Sequence, residues 1–202
     1  MNESDARFEF RCWARNFGLV DTHLRRISAC HGIRESEEIY VATAAKDDTN
    51  IKIRDGFLDI KELIETRGDL ERWRPRVQYK LPVTKDMLEG DVLPSLGIAL
   101  SPLRCSTYAL DQLLEEVVLP APKIAVASVF KRRFAFTVNG CMTELDEVWI
   151  NGAGLHSVTI ESIDPSAVLE ARNRLRLDNL ENVSYPQAIK RVMGMVPLRT
   201  PY

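Results

Sequence analysis

Charged and apolar residues alternate along residues 131–161, which read KRRFAFTVNGCMTELDEVWINGAGLHSVTIE. Successive side chains of a β-strand point to opposite faces, so Lys131 and Arg133 share one face of a first strand. Glu144 and Asp146 share one face of a second strand. The pattern predicts consecutive strands that each have one charged face and one apolar face.

Turn residues separate these predicted strands. The Asn-Gly pair at 139–140 tolerates the positive φ of a tight hairpin turn. A second turn is predicted at 151–154, and the third strand then carries Glu161 on the same face as Thr159. A face that gathers cations and carboxylates is costly to bury without water. This face is therefore predicted to be the wall of a wet, ligand-filled cavity.

The first half of the chain repeats the alternation. Strands are predicted at residues 7–14, 37–45, 50–55, 57–65 and 76–83, and the polar segment TRGDLERWRP before the last of them predicts a loop. Cations outnumber anions on the charged faces, so the proposed cavity is positive and attracts anions. The charged residues of these five segments that we place on the cavity face are Arg7, Glu9, Arg11, Lys52, Arg54, Asp59, Lys61, Arg76 and Lys80.

The order of the predicted elements indicates an α+β fold. Strands with one charged face suit a two-sheet sandwich poorly, because a sandwich buries both inner faces against each other. We therefore predict a closed or nearly closed antiparallel β-barrel with helices packed outside. One domain over residues 1–202 is expected, with a mainly helical insert at about 84–118 that Thr84 caps.

Overall composition gives little indication of a macromolecular partner. The formal net charge is −2, so neither a nucleic-acid nor a membrane partner is expected. The start of the chain lacks the order of a signal peptide. The four cysteines form no CxxC motif, so reduced buried thiols and a cytoplasmic location are expected.

The charged faces allow two interpretations. Arginine and lysine at alternate positions suit phosphate oxygens, and carboxylates near them suit a hard cation such as Mg²⁺ or Mn²⁺. Alternating charges are also common on the solvent-exposed face of an ordinary antiparallel sheet. Recurrence on many strands favours the first interpretation, which is a cavity for a small phosphorylated anion.

Several short segments resemble the CYTH domain, the fold of the triphosphate tunnel metalloenzymes. VFKRRF is similar to the family's basic strand, TELDEVW to its Leu-Asp-Glu-Val strand and SVTIESID to its Glu-x-Glu strand. RFEFRCW stands where the family has its Glu-x-Glu-x-Lys signature, and LDNLENVSYPQAI resembles its closing helix region. The resemblance covers about residues 7–194. It implies a tunnel-like barrel that binds triphosphates, as in class IV adenylate cyclases, thiamine triphosphatases and inorganic triphosphatases, and members are often dimers.

Two departures from the family pattern concern its carboxylates. Arg7 stands where the signature would have its first glutamate, beside Glu9 and Arg11. Thr159 stands where the later Glu-x-Glu would have its first glutamate, before Glu161. The family's phosphate-binding cations are thus retained, whereas about half of its metal-binding carboxylates are not.

Three functions follow from the resemblance and the residues together. The first is a metal-dependent hydrolase of a triphosphate (inorganic triphosphate, nucleotide or thiamine triphosphate), or less favoured an adenylate cyclase. The second is a CYTH-like module that binds nucleotide or polyphosphate with weak or no catalysis, and the third is a structural scaffold. For the first, Glu9 and Arg11 are the predicted catalytic residues. The predicted ligands of Mg²⁺ or Mn²⁺ are Glu9, Glu144, Asp146 and Glu161, and the predicted phosphate-binding residues are Arg11, Lys52, Arg54, Lys61, Arg76, Lys80, Lys131 and Arg133.

Overall fold

The computed structural model describes residues 6–97, 103–121 and 123–196. Eight strands form a closed barrel, and two short strands form a separate pair. The barrel strands are β1 (Arg7–Ala14), β2 (Gly32–Thr43), β3 (Thr49–Arg54), β4 (Phe57–Arg67), β5 (Leu70–Lys80), β8 (Ile124–Val138), β9 (Cys141–Ile150) and β10 (Ala153–Ser162). The separate pair is β6 (Val83–Thr84) and β7 (Thr107–Tyr108).

Helices lie between and after the strands. Two π-helical segments, Leu88–Val92 and Leu113–Val118, continue the short helices before them. Thr84 caps the first of these helices, because its Oγ1 accepts a hydrogen bond from the Met87 amide at 3.3 Å. The α-helices are α1 (Gly18–Ile27), α2 (Lys85–Met87), α3 (Leu93–Leu96), α4 (Leu110–Gln112), α5 (Pro165–Arg174) and α6 (Tyr185–Val192).

The barrel strands follow the order β1, β10, β9, β8, β2, β3, β4 and β5, and β5 pairs again with β1. Closure gives every barrel strand two neighbours, so no barrel strand presents an unpaired edge. The predicted α+β fold, an antiparallel barrel with helices packed outside, is confirmed. Closure also brings β1 beside β10, and this pairing builds part of the candidate site.

Both predicted Asn-Gly turns are confirmed by their backbone angles. Asn139 and Gly140 have φ values of 51° and 74°, and Asn151 and Gly152 have values of 47° and 85°. Positive φ at both central residues matches the turn twist to the twist of the flanking strands. These turns set the register of β8, β9 and β10, and with it the residues that face each other.

The predicted loop at residues 66–75 is wrong. β4 continues to Arg67 and β5 begins at Leu70, so only a short turn separates the two strands. Leu70 and Trp73 are buried in an otherwise charged segment. These two apolar side chains, together with pairing to β1, hold the segment in the barrel despite its polar composition.

The chain divides into two compact units, each with its own apolar core. The first unit contains the described residues up to 37, together with 63–74 and 129–184. In it, Phe8, Phe10 and Cys12 alternate along β1 and are buried with side chains from β8, β9, β10, α1 and α5. The apolar face of these strands therefore lies under helices, and the charged face is the opposite one.

The second unit contains residues 38–62, the described residues within 75–128, and residues 185–196. Ile51 and Ile53 of β3 and Leu58 and Ile60 of β4 are buried against the segment that carries α2, α3 and α4. Alternate residues of β3 and β4 carry the charges and lie on the opposite face. In this unit too, helices cover the apolar face of the strands. The buried partners from the helical segment include Leu88, Val92, Leu96, Leu113 and Val117.

The cysteines match the prediction in part. Cys12 and Cys141 are buried free thiols, whereas Cys30 is an exposed free thiol. Burial raises the pKa of Cys12 to about 12, so its reactive thiolate form is suppressed.

Truncation of Phe10 tests the first core. Phe10 is fully buried, and the Arg172 guanidinium lies 4.3 Å from the centre of its ring. Phe10→Ala should lower the free energy of unfolding by about 3–5 kcal/mol, measured by urea denaturation. Leu19→Ala is the control, because Leu19 is 90% exposed and its truncation should change stability by less than about 0.5 kcal/mol. Equal effects of the two substitutions would contradict the core described above.

Candidate functional site

The predicted site residues lie in both compact units, and each set is described by itself. The second unit holds the cations of β3, β4 and β5, which are Lys52, Arg54, Lys61, Arg76 and Lys80. The first unit holds Glu9, Arg11, Lys131, Arg133, Glu144, Asp146 and Glu161.

The first set is built around one buried guanidinium group. Arg11 donates from Nε to Glu9 Oε1 at 2.8 Å and from Nη1 to Asp146 Oδ2 at 3.2 Å. The same Nη1 donates to Ser157 Oγ at 3.2 Å, and the Ser157 hydroxyl donates to Asp146 Oδ2 at 2.9 Å. We call these four residues the Arg11 cluster. Its arginine is 5% exposed, and it joins two carboxylates from two different strands.

Strand register explains why these residues meet. Ser157 lies opposite Asp146 in the pairing of β10 with β9, and Arg11 lies opposite Thr159 in the pairing of β1 with β10. The long arginine side chain therefore reaches diagonally across β10 to β9. Arg133 of β8 lies opposite Asp146 on its other side.

Burial and three cations set the electrostatics of Asp146. Burial raises the pKa of Asp146 above its usual value, while the charges of Arg11, Lys131 and Arg133 act in the opposite direction. Burial also raises the pKa of Glu144, and the negative charge of Asp146 adds to this effect. Two neighbouring carboxyl groups that are shielded from water have higher pKa values than either group would have in solution.

The predicted divalent metal does not fit the Arg11 cluster. Mg²⁺ and Mn²⁺ need several oxygen ligands around one point, with few cations nearby. Over residues 6–97, 103–121 and 123–196, no three His, Cys, Asp or Glu side chains come together as a metal-binding group. The Arg11 guanidinium instead occupies the contact between Glu9 and Asp146. A fixed positive charge at that place repels a divalent cation.

The second set is built around one buried carboxylate, Glu38. Its Oε1 accepts a hydrogen bond from Arg54 Nη1 at 3.3 Å, and its Oε2 lies 3.6 Å from Lys52 Nζ. The Tyr40 hydroxyl donates to the same Oε2 at 2.9 Å. We call these four residues together with Lys61 the Lys52 cluster. Glu38 is 2% exposed, whereas the side chains of Lys52 and Arg54 are 15% and 20% exposed.

The Lys52 cluster concentrates positive charge. Burial lowers the pKa of Lys52, and the charges of Arg54 and Lys61 lower it further, while Glu38 and Asp59 raise it. Lys52 lies opposite Asp59 in the pairing of β3 with β4. Cations that disfavour one another's charge become more stable when an anion binds among them. The arrangement can therefore bind an anion, and the partial exposure of its two central cations gives that anion access.

Arg76, Lys80 and Arg7 have other surroundings. Arg76 donates to Asp91 Oδ1 at 3.0 Å and to Ser95 Oγ at 3.2 Å, both in the helical segment of the second unit. Lys80 is exposed. Arg7, which we expected to face the cavity, is exposed and donates to the Met142 sulfur in the first unit. The assignment of all predicted cations to one phosphate-binding cavity stays a prediction.

Sequence reasoning missed the two side chains that hold these clusters together. Glu38 shares a strand face with Tyr40, and this alternation was a usable signal that the apolar residues of the same strand concealed. Ser157 gave no signal, because its role depends on being opposite Asp146. Glu71, which accepts a hydrogen bond from Trp73 Nε1 at 2.9 Å and lies opposite Glu9, was missed with the wrong loop.

Comparisons with known proteins identify the fold. No protein-family model and no curated protein matches the chain. The PH1012 protein from Pyrococcus horikoshii OT3 has a similar structure, with 17% sequence identity and a TM-score of 0.52 over 91% of this chain and 99% of that chain. The proposed adenylyl cyclase HpAC1 from Hippeastrum, which shows a dominant triphosphatase activity, is 14% identical with a TM-score of 0.51 over 96% and 98% of the two chains.

A third similar structure is a proposed adenylate cyclase from Bacillus halodurans. It is 10% identical, with a TM-score of 0.50 over 91% of this chain and 98% of that chain. Similarity at such low identity shows a shared fold alone, and that fold is the closed antiparallel barrel described above.

Of the helices in the described part of the chain, none has the length and apolar character needed to cross a membrane.

Replacement of Glu144 tests the electrostatics of the first set. A raised pKa means that the folded chain keeps this proton after the unfolded chain has lost it. The free energy of unfolding therefore falls as pH rises from the ordinary glutamate value, 4.5, through the raised pKa. Glu144→Gln should gain stability relative to the wild type over that range, measured by urea denaturation at a series of pH values.

Glu147→Gln is the matched control for this experiment. Glu147 lies on the opposite face of β9 and within 3.9 Å of Arg132. The control should keep the pH dependence of the wild type. Parallel stability curves for the wild type and Glu144→Gln would contradict the raised pKa.

Proposed function

We propose that the charged inner face of this barrel binds a small phosphorylated anion that contains a triphosphate. The observation that carries the proposal is the Lys52 cluster, in which three cations on neighbouring strands lie close enough to disfavour the charge of Lys52. Arg54 offers a planar group that can bind two phosphate oxygens, and lysine offers a compact point charge. Inorganic triphosphate, a nucleotide and thiamine triphosphate all present the required oxygens.

The arrangement of Glu38 supports this proposal. Its carboxylate fixes Lys52 and Arg54 from one side, so less side-chain entropy is lost when a phosphate approaches from the other side. Glu38 is the buried carboxylate among these three cations, and the more exposed Asp55 and Asp59 add negative charge beside Arg54 and Lys52. In the first unit, Arg11, Lys131 and Arg133 are proposed as further phosphate-binding residues. Arg76 and Lys80 remain predicted ones.

Binding of tripolyphosphate tests the proposal. A ligand that binds only the folded chain stabilises it by about 2.7 kcal/mol at 100 times its Kd. Tripolyphosphate should therefore raise the melting temperature of the wild type. In calorimetric titration, Lys61→Ala should bind tripolyphosphate about 10-fold more weakly than the wild type, a difference of about 1.4 kcal/mol in binding free energy. Lys61 is a suitable position because its removal leaves Lys52 and Arg54 on Glu38.

Lys123→Ala is the control, since Lys123 is an exposed lysine outside the barrel strands. It should bind tripolyphosphate like the wild type. Absence of any stabilisation of the wild type, or equal weakening in both variants, would contradict the proposal.

A second candidate function is hydrolysis of the bound triphosphate, with adenylate cyclisation as a variant of it. The similarity in fold to HpAC1 from Hippeastrum favours this candidate, because that protein is described by a dominant triphosphatase activity. Glu9, Glu144, Asp146 and Glu161 are the carboxylates that the hydrolase would use, and Glu9 and Arg11 are its predicted catalytic residues. The Mg²⁺ or Mn²⁺ cofactor of this candidate stays a prediction.

Product analysis separates binding from turnover. The protein is incubated with tripolyphosphate, ATP or thiamine triphosphate and Mg²⁺ or Mn²⁺, and phosphate, pyrophosphate and cyclic AMP are followed. We expect stabilisation by ligand without release of product, because the contact between Glu9 and Asp146 is occupied by Arg11. Release of phosphate that Glu161→Gln abolishes would instead establish the hydrolase, and cyclic AMP would establish the cyclase.

The cytoplasmic location, predicted from the cysteines, stays a prediction. The homodimer that the resemblance implies and the alternative function as a structural scaffold also stay predictions.

A further inference from the structure

We propose that Arg11 takes the place of a divalent metal, so that the protein binds its triphosphate anion without Mg²⁺ or Mn²⁺. This inference rests on the proposed function and deepens it, because it states what the binding site requires. Its evidence comes from the Arg11 cluster and the residues around it, all of which lie in the first unit.

The geometry of the arginine resembles the way in which a metal ion joins ligands from different strands. One guanidinium group donates to Glu9 of β1 at 2.8 Å and to Asp146 of β9 at 3.2 Å, and Ser157 of β10 completes the set. Each of these contacts goes from a fixed, planar cation to an oxygen atom. Three adjacent strands are therefore connected through one positive group, as a bound cation would connect them.

The cation is part of the chain and is held rigidly. The Arg11 side chain is 6% exposed, and the backbone amide of Arg11 donates to Asn182 Oδ1 at 2.7 Å. Asn182 in turn donates to the backbone carbonyl of Glu9 at 3.2 Å. These bonds fix both ends of the short segment from Glu9 to Arg11. The guanidinium thus keeps its place without a free ion from solution.

The charge of Arg11 is also permanent, because an arginine side chain stays protonated at any pH at which the protein is folded. Lys131 and Arg133 lie close enough to act on the same Asp146. A triphosphate approaching this group meets positive charge that needs no metal. A divalent ion approaching the same place meets repulsion from all three side chains.

The direct test uses the wild type and needs no substitution. Tripolyphosphate is titrated calorimetrically in EDTA and, separately, in excess Mg²⁺. We expect a Kd in EDTA that is no higher than the Kd in excess Mg²⁺, because Mg²⁺ complexes part of the anion in solution. Binding that needs Mg²⁺ would overturn the inference and leave the proposed function in place. Absence of binding under both conditions would overturn the proposed function, and the inference with it.

A substitution supplies an independent readout that does not involve the anion. Arg11→Met removes the guanidinium that joins Glu9, Asp146 and Ser157, so these oxygens should become available as Mn²⁺ ligands. Mn²⁺ affinity, measured by the loss of the free-ion paramagnetic resonance signal, should rise by at least about 10-fold over the wild type. Arg11→Lys keeps the positive charge and should show no gain.

Arg132→Met is the matched control for the lost charge. Arg132 lies beside Arg133 on the other face of β8 and is within 3.4 Å of Glu35. This variant should bind Mn²⁺ no better than the wild type does. If the wild type already binds Mn²⁺ as tightly as Arg11→Met, the inference is wrong. If Arg11→Met does not fold, judged by circular dichroism, the calorimetric comparison in EDTA and Mg²⁺ decides alone.

Discussion

The pairing of buried charges is the constraint on which the rest of this structure depends. A closed barrel has an inner face, and charged side chains on that face lose much of their hydration. Arg11 with Glu9 and Asp146 satisfies this requirement in one unit, and Glu38 with Lys52 and Arg54 satisfies it in the other. Removing Arg11 or Glu38 would leave the oppositely charged side chains of its set with fewer partners in a poorly hydrated place.

Because the apolar core lies on the other face of the strands, the fold stays stable although these polar sets are buried. Helices cover the apolar face in each unit, and the apolar side chains beneath them supply the main stabilisation. The inner face therefore does not need to be apolar. It can hold neighbouring cations, and the proposed phosphorylated anion would reduce the repulsion between them. The barrel explains why the anion is expected to bind on the inner face. The charged pairs explain why a divalent metal is not expected to accompany it.

Much of the fold could be predicted from the sequence, because it depends on local patterns. Alternation at residues 131–161 and the Asn-Gly pairs specified three strands and their turns. The pairing of charges could not be predicted in the same way, because Arg11 and Asp146 are 135 residues apart and meet only through barrel closure. Glu71 was missed because its segment was predicted to be a loop, and Glu38 because the apolar residues of its strand concealed the alternation that it shares with Tyr40.

A crystal structure of the protein grown with tripolyphosphate and EDTA tests the central claim most directly. The account predicts phosphate oxygens within hydrogen-bonding distance of Lys52, Arg54 or Lys61, with the Arg11 guanidinium still bound to Glu9 and Asp146. A triphosphate bound only on the outer surface would contradict the claim that the inner face binds the anion. An inner face without ligand at saturating tripolyphosphate would contradict it equally.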